Sequence, residues 1–204
     1  MNKSINIAVV GLGQVGSYLL NELNTKKKDI ELKTGKKINI VAISARNINK
    51  KRQFKINKKI FFKDPLDIFK KTKVDIFFEA IGLSDGISKK VVETALKKKI
   101  HVITPNKALI SKHGNELAKI AEQNNVNLEF EASVAGGIPI LRSIKEGLAT
   151  NKISKVYGIL NGTSNYILSE MENSNQSFSD VLKKAQQLGY AEPGNPKLDL
   201  NGFD

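Results

Sequence analysis

Three glycines near the N-terminus are the first residues whose types and spacing could do chemistry. Segment 11–16 reads Gly-Leu-Gly-Gln-Val-Gly, which matches the pattern G-x-G-x-x-G between an apolar run, 5–10, and a helical pattern. In that context the pattern predicts a turn that holds the pyrophosphate of a dinucleotide on backbone amides at a helix start. A glycine turn in an unrelated α/β protein is the alternative. The residues predicted to bind NAD(P) here are Gly11, Gly13, Gln14, Val15 and Gly16.

The residue after the second predicted strand, 38–43, should distinguish between the two forms of such a cofactor. A carboxylate at this point would accept a hydrogen bond from the ribose 2′-hydroxyl of NAD. Here the strand ends in Ser44-Ala45-Arg46, and Lys50, Lys51 and Arg52 follow. The sequence therefore favours NADP, with Arg46 on the 2′-phosphate; a merely solvated Arg46, and NAD instead of NADP, stay open.

Two later loops fall at the carboxyl ends of predicted strands, where ligands bind in open α/β sheets. Segment 78–82 follows the strand at 75–78 and supplies Ile81 and Gly82, and segment 104–109 follows the strand at 100–103. Lys107 lies in the second loop, in a Pro-Asn-Lys turn, whereas most lysines of the chain fall on predicted helix faces. We therefore expect Lys107 beside a bound nicotinamide.

Strands and helices alternate through the first two thirds of the chain. Besides the strands already named, the pattern predicts a lysine-rich connection at 26–37, a last strand near 126–131 and helices at 14–24, 86–98 and 111–124. This alternation predicts the α/β class, a Rossmann-type doubly wound parallel sheet, in residues 1–135.

The pattern changes beyond residue 135. It predicts helices at 139–149 and 178–188, a strand at 153–160, and a further helix that is capped by the turn at 161–165 and runs to about Met171. Residues 136–204 therefore read as an incomplete substrate-binding domain, the start of an α+β domain.

Composition excludes several classes of protein. The chain has 204 residues, no cysteine and two histidines, which excludes disulfides and thiolate chemistry and disfavours histidine metal clusters. Residues 1–112 carry 25 basic and 9 acidic side chains, whereas residues 113–204 carry 8 and 11. Because three of the 33 basic residues are arginine and aromatics are 6%, solvated surface explains the charge better than nucleic-acid binding. Without a membrane-length apolar run or a signal peptide, we expect a cytoplasmic protein with no membrane partner.

Taken together, the motifs resemble those of the homoserine dehydrogenase family. The matching segments occur in family order over nearly the whole chain, and the Asn-Gly-Thr segment combined with the acidic ending is the most specific part. These segments are 11–16, 104–109, 130–139, 158–168, 189–193 and 199–204.

The resemblance implies NAD(P)-dependent interconversion of L-homoserine and L-aspartate 4-semialdehyde, on the route to threonine and methionine. Lys107 matches the first of the family's two catalytic lysines, and Asp204 joins the catalytic set. Turn chemistry would explain the terminal acids equally simply. The substrate-binding residues implied are Gly162, Thr163, Tyr190, Glu192, Asp199 and Asp204, with Gly189 near the nicotinamide.

The resemblance also implies a monovalent cation such as sodium, held at Glu131, Val134, Gly136 and Ile138, and a homodimer for the complete protein. The family's second lysine would lie four residues beyond Asp204, so we expect weak NADP binding, little turnover and exposed apolar surface on the second domain. Segment 192–199 is one residue longer than the usual family spacing. A non-catalytic NAD(P)-binding protein, and a related dehydrogenase acting on another small amino or hydroxy acid, remain alternatives.

Overall fold

The computed structural model describes residues 4–50, 52, 56–191 and 200. The chain divides into two compact units, Met1–Ser133 and Val134–Asp204. Every strand found in the described residues belongs to the first unit.

The first unit is built on a parallel sheet of six strands in the described residues, in the order β3-β2-β1-β4-β5-β6. This is the order of a Rossmann fold, and it confirms the predicted doubly wound sheet. Strand order reverses between β1 and β4, so the carboxyl ends of these two neighbours open a crevice for ligands. The strands are β1 (Ser4–Val10), β2 (Lys37–Ser44), β3 (Phe61–Phe62), β4 (Ile76–Glu79), β5 (His101–Ile103) and β6 (Leu128–Glu129).

Helices cover both faces of this sheet because successive residues of a strand point to opposite sides. Along β1, Ile7 and Val9 pack into a core beneath the first two helices, whereas Ala8 and Val10 pack into a larger core beneath the later ones. All four side chains are at most 3% exposed. The helices of this unit are α1 (Gln14–Thr25), α2 (Lys27–Thr34), α3 (Ile68–Lys71), α4 (Ile87–Lys97) and α5 (Lys107–Gln123).

Several boundaries differ from the sequence predictions. The connection at 26–37 contains α2, because Ile30 packs on the core and Glu31 accepts a hydrogen bond from the amide of Ile38 at 2.8 Å. Helix α5 begins at Lys107, four residues before the predicted start, and the last strand is Leu128–Glu129 alone. The short elements β3 and α3 were not predicted, since two to four residues are too few for a periodic pattern.

The second unit is helical in the described residues. Helix α6 (Ile140–Arg142) continues as a short π-helix at Ser143–Gly147, and the two replace the single helix predicted at 139–149. Helices α7 (Gly162–Ser174) and α8 (Phe178–Gln187) pack through Ile167, Val181 and Ala185.

The strand predicted at 153–160 is wrong. This segment forms no strand among the described residues and is exposed throughout. A β-strand needs neighbouring strands for its backbone hydrogen bonds, and this segment has none among the described residues. The expected apolar surface on this unit is present, with Tyr157 at 85% and Ile159 at 77% exposed. None of the helices in the described part of the chain combines the length and apolar composition that a bilayer-spanning helix needs.

Candidate active site

The glycine-rich turn lies between the end of β1 and the start of α1, and two of its glycines are required by close contacts. Gly11 has φ +93°, and a Cβ there would collide with the backbone of Ala80 after β4. A Cβ at Gly16 would collide with the carbonyl group of Gly11. At Gly13 a Cβ would meet no atom within 4 Å, so the protein itself does not explain this glycine. An open glycine at an uncapped helix start is what close approach of a pyrophosphate requires.

A cleft of about 570 Å³ opens in front of this turn at the carboxyl edge of β1, β2 and β4. It has the size of a small-molecule site. The structure brings Gly11, Gly13, Arg46 and Ile81 together in its lining, four of the residues predicted to bind the dinucleotide. Its polar rim is cationic, with side chains of Arg46, Lys50, Arg52 and Lys63. Lys107 does not line this cleft.

Arg52 holds the loop after β2 against the glycine-rich turn. Its Nε donates to the carbonyl oxygen of Leu12 at 3.2 Å. Its terminal nitrogens donate to the carbonyl oxygens of Asn47 at 2.9 Å, Lys50 at 2.9 Å and Ile48 at 3.3 Å. This role of Arg52 was not predicted, because its partners are backbone carbonyl groups that no side-chain pattern reveals.

Glu79, the last residue of β4, is fully buried and accepts hydrogen bonds at both carboxyl oxygens. Oε1 accepts from the amides of Ile81 at 2.8 Å and Gly82 at 3.4 Å, so it holds the loop predicted to meet the cofactor. Oε2 accepts from the hydroxyl of Thr104 at 2.6 Å. No role was predicted for Glu79, although a lone carboxyl group at the end of the apolar strand Ile-Phe-Phe-Glu was a signal present in the sequence.

Asn106 extends this network to the residue before Lys107. Its Nδ2 donates to the carbonyl oxygen of Leu83 at 2.8 Å and to Glu79 Oε1 at 3.4 Å. Its Oδ1 caps α5 by accepting from the amide of Leu109 at 3.1 Å. Lys107 is therefore the first residue of a capped helix and is half-buried. Lys107 was predicted in a turn, but it lies one residue past that turn because Asn106 caps the start of the helix.

A second, exposed connection joins the loop after β4 to α5. Asp85 accepts hydrogen bonds from Lys112 at 2.7 Å and from Ser84 at 2.7 Å, and its Oδ1 lies 2.9 Å from Nε2 of His113. The Lys112 ammonium, with smaller contributions from Ser84 and His113, holds the pKa of the Asp85 carboxyl well below its usual range. These contacts fix the far end of the loop that Glu79 holds at its start.

In the second unit, the structure brings together two residues predicted to bind substrate. Thr163 is buried in the first turn of α7, and its hydroxyl donates to the carbonyl oxygen of Tyr190 at 2.6 Å. Asn161 caps this helix by accepting from the amide of Ser164 at 2.6 Å. The ring of Tyr190 stacks against that of Tyr166 at a centroid distance of 4.7 Å and is 58% exposed.

The neighbouring glycines lie at the two ends of this pair of helices. Gly162 begins α7 and is exposed, while Gly189, with φ +80°, follows α8 and leads to Tyr190. Glu192, Asp199 and Asp204, the acidic residues predicted to hold the substrate, lie outside the described residues.

The residues predicted to hold a cation lie around the boundary of the two units. Glu131 is exposed and opens a 3₁₀ turn at Glu131–Ser133. Val134 is half-buried, Gly136 and Ile138 are exposed, and the amide of Ile138 donates to Ala135 at 2.8 Å. No group of three or more Asp, Glu or His side chains that could hold a metal ion lies in the described part of the chain.

Comparison with known families adds the decisive observation. The family model described as homoserine dehydrogenase, NAD binding domain, matches residues 11–131, and the model described as homoserine dehydrogenase matches residues 139–204. This chain belongs to the homoserine dehydrogenase family. The family's enzymes are NAD(P)-dependent oxidoreductases, and the first match confirms a domain for a nicotinamide cofactor.

Homoserine dehydrogenases of several bacteria are similar to the chain over nearly its whole length. That of Neisseria gonorrhoeae is 43% identical over 202 residues, which are 99% of this chain and 46% of the relative. That of Bacillus subtilis is 37% identical over 202 residues, again 99% and 46%. The chain thus spans about half the length of the curated relatives it matches.

Solved structures agree with this comparison. A homoserine dehydrogenase from Thiobacillus denitrificans matches with a TM-score of 0.79 at 38% identity, over 97% of this chain and 45% of that one. A hyperthermophilic archaeal homoserine dehydrogenase in complex with NADPH matches with a TM-score of 0.75 at 22% identity, over 98% of this chain and 65% of that one. The latter likeness shows the fold alone.

Proposed function

We propose that this chain supplies the cofactor-binding half and part of the substrate site of a homoserine dehydrogenase that interconverts L-homoserine and L-aspartate 4-semialdehyde. The observation that carries the proposal is the cleft at the reversal of strand order, which Gly11, Gly13, Arg46 and Ile81 line together. Its glycine-rich turn leaves Gly13 open to a ligand. Ligands of open α/β sheets bind at this position.

The preferred cofactor is NADP. Arg46 and Lys50 after β2 and Lys63 after β3 surround the cleft with positive charge, and no carboxyl side chain belongs to its lining among the described residues. A ribose 2′-phosphate forms favourable charge-assisted hydrogen bonds with such a rim. An NAD-specific site instead presents a carboxylate to the 2′-hydroxyl.

Lys107 takes the proton of the substrate hydroxyl. A nicotinamide dinucleotide held in the cleft would supply the acceptor for the hydride that leaves the alcohol carbon. Oxidation of the alcohol also releases a proton, which needs an acceptor within hydrogen-bonding reach. Lys107 follows Asn106, which is bonded to the loop of Ile81 and Gly82, and this connection supports its assignment to the nicotinamide end of the site.

The second unit contributes the substrate contacts. Gly162 and Thr163 at the start of α7, together with Tyr190, form one surface, because Thr163 bonds the carbonyl oxygen of Tyr190. Glu192, Asp199 and Asp204 supply carboxyl groups for the substrate ammonium group, with Asp204 also in the catalytic set. Gly189 borders the nicotinamide.

Further parts of the proposal rest on the family. Glu131 with the carbonyl oxygens of Val134, Gly136 and Ile138 would hold a monovalent cation such as sodium, a donor set of oxygens that suits a hard cation. We also propose a homodimer for the complete protein, a cytoplasmic location, and a role in the biosynthesis of threonine and methionine.

A ternary titration tests the proposal. NADPH and NADH are titrated into the 204-residue chain by nicotinamide fluorescence, and L-homoserine is then added to the NADP complex. We expect tighter binding of NADPH than of NADH, and a response to L-homoserine that L-2-aminobutyrate, which lacks the hydroxyl group, does not give. Lys107→Gln should abolish the small homoserine-dependent NADPH formation that we expect of this chain, while leaving the Kd for NADPH within about threefold, since proton transfer does not require a large contribution to cofactor affinity.

Two results would contradict the proposal. One is the absence of binding to either nicotinamide dinucleotide. The other is an equal response to L-homoserine and L-2-aminobutyrate, which would favour another dehydrogenase or a nucleotide-binding protein without this activity.

A further inference from the structure

Glu79 is a buried acidic residue to which neither the sequence motifs nor the proposed reaction gives a role. It is 0% exposed, as is Thr104, and Asn106 is 5% exposed. Burying a carboxyl group costs free energy unless its oxygens are hydrogen-bonded. An apolar side chain could fill the same space without this cost. The buried carboxyl group of Glu79 therefore suggests that its hydrogen bonds are needed to hold neighbouring groups in position.

The partners of Glu79 come from two loops that are distant in sequence. Oε1 accepts from the backbone of the loop after β4, at Ile81 and Gly82, and Oε2 accepts from Thr104 after β5. Asn106 donates to Glu79 Oε1 at 3.4 Å and to the carbonyl oxygen of Leu83 at 2.8 Å. The hydroxyl of Thr104 also accepts from the amide of Asn106 at 3.1 Å. These hydrogen bonds join Glu79, Thr104 and Asn106 in a closed ring, and Asn106 is the residue directly before Lys107.

The far end of the first loop is anchored as well. The amide of Leu83 donates to the hydroxyl of Ser88 at 3.3 Å, and Ser88 is fully buried in α4. Movement of the loop at 80–83 therefore requires breaking bonds to Glu79 at one end or to Ser88 at the other. The same bonds at Glu79 fix the turn that starts α5.

We propose that Glu79 is a positioning residue that makes the loop at 80–83 and the turn carrying Lys107 one rigid element, so that a dinucleotide bound at the loop alters the surroundings of the Lys107 amine. Glu79 acts through Thr104 and Asn106 and does not touch substrate. The inference rests on the proposed function only for its second half, the response to a dinucleotide.

The experiment measures acetylation of Lys107 by an N-hydroxysuccinimide ester in the full chain, quantified by mass spectrometry against exposed Lys119 of the same helix. Thr104→Val removes the donor to Glu79 Oε2, and Glu79→Gln sets an amide donor against the Thr104 donor. Thr104→Ser keeps the hydroxyl group and is the matched control. Asn106→Ser keeps a helix cap but loses the donor to Glu79 and Leu83, which separates capping from coupling.

We expect Lys107 labelling to rise about threefold or more, relative to Lys119, in Thr104→Val, Glu79→Gln and Asn106→Ser, since each lost hydrogen bond is worth roughly that factor or more. Thr104→Ser should match the wild type. Equal labelling in Thr104→Val and Thr104→Ser would overturn the positioning role. If Thr104→Val and Glu79→Gln do not fold by circular dichroism, Asn106→Ser decides: a rise supports the role and wild-type labelling overturns it.

The response to cofactor is measured with NADPH as the probe. In the wild type, saturating NADPH should change Lys107 labelling relative to Lys119; in Asn106→Ser, with NADPH still saturating, it should not. An unchanged response in Asn106→Ser would overturn the coupling. Absence of NADPH binding to the wild type would instead overturn the proposed function and with it the coupling half, while the labelling without cofactor still decides the positioning role.

Discussion

Arg52 donates a hydrogen bond from Nε to the carbonyl oxygen of Leu12, which joins the loop after β2 to the glycine-rich turn. Three further carbonyl oxygens, at Asn47, Ile48 and Lys50, accept from the same guanidinium group. Arg52 therefore shapes the cationic wall of the cleft through the backbone, whereas Arg46 is the residue that we propose offers its charge to the ligand.

Arg52→Gln should weaken NADPH binding about tenfold, because hydrogen bonds from a charged group contribute roughly 1.5–3 kcal/mol each and part of this is lost through loop disorder. Arg52→Lys should not restore the affinity, since an ammonium group cannot reach several carbonyls in the planar arrangement of a guanidinium. Fluorescence titration measures both. Arg142→Gln removes an exposed arginine of the second unit and should leave the Kd unchanged. Full affinity of Arg52→Lys would show that charge alone is needed.

Substitution by alanine should have different effects at two glycines of this turn: mainly a loss of stability at Gly16 and mainly a loss of cofactor affinity at Gly13. Gly16→Ala should lower the free energy of unfolding by about 2 kcal/mol, because its Cβ collides with the carbonyl group of Gly11. Gly13→Ala should lower it by at most about 1 kcal/mol, since that Cβ meets open space and only the preference for glycine over alanine at a helix N-cap is lost. NADPH affinity should nevertheless fall at least about tenfold in Gly13→Ala, because the methyl group stands where the pyrophosphate approaches. Urea unfolding followed by circular dichroism, and fluorescence titration, measure the two effects; equal stability losses would contradict this reading.

Arg46→Gln should change cofactor preference rather than cofactor binding as a whole. The Kd for NADPH should rise about tenfold through loss of a charge-assisted hydrogen bond, while the Kd for NADH should stay within about twofold. Lys119→Gln, an exposed charge on α5, is the control and should change neither value. A parallel loss for both cofactors would assign Arg46 to the shape of the loop instead of the 2′-phosphate.

Asp85 predicts a dependence of stability on pH. Its pKa is lowered in the folded state, chiefly by the hydrogen bond from Lys112, so its contribution is fully present above the unfolded value of about 4 and is lost as pH falls towards the folded value. The difference in Tm between the wild type and Asp85→Asn should therefore shrink as the pH falls below the unfolded value. Thermal unfolding over this pH range measures it. Asp64→Asn, which removes a carboxyl group that caps the Pro65–Asp67 turn, provides a comparison without the Lys112 contact. A Tm difference that grows with acidity would contradict the assignment.

The hydroxyl group of Thr163 should be the part of this side chain that holds Tyr190 in position. Thr163→Val should speed hydrogen exchange of the Tyr190 and Ala191 amides, which bond to Ala185, about fivefold, since one buried hydrogen bond contributes about 1 kcal/mol. Thr163→Ser keeps the bond and should match the wild type. Identical exchange in the two variants would mean that the helix pair alone holds this turn.

The sequence was sufficient to predict the Rossmann sheet because its strands are apolar runs bounded by glycine or polar residues, and its glycine turn follows a strand directly. It was not sufficient for β3, whose two residues Phe61 and Phe62 pair with β2 without a recognisable period. Nor did it reveal α2, whose lysine-rich sequence resembles a solvated loop until Ile30 is seen to pack on the core. The strand expected at 153–160 shows the converse error: β-propensity in Val156 and Tyr157 does not produce a strand without paired neighbours.

At the site, motif spacing located Gly11, Gly13, Arg46 and Ile81 in one cleft, since parallel strands deliver their carboxyl ends to a common edge. The roles of Arg52 and Glu79 depend on backbone atoms brought together by folding, which no single sequence displays. Whether Lys107 meets the acidic residues 192–204 stays a prediction.

The two central strands lie far apart along the chain: the amide of Asn6 bonds the carboxyl group of Asp75 across 69 residues. Closing so long a loop is slow, because its entropic cost is compensated only when the non-local pairing forms. We therefore expect β4 to join the sheet after β1 and β2 have paired. The crevice between β1 and β4 is thereby completed late in folding. Acquisition of affinity for a nucleotide during refolding would mark the moment at which this last long-range pairing is made.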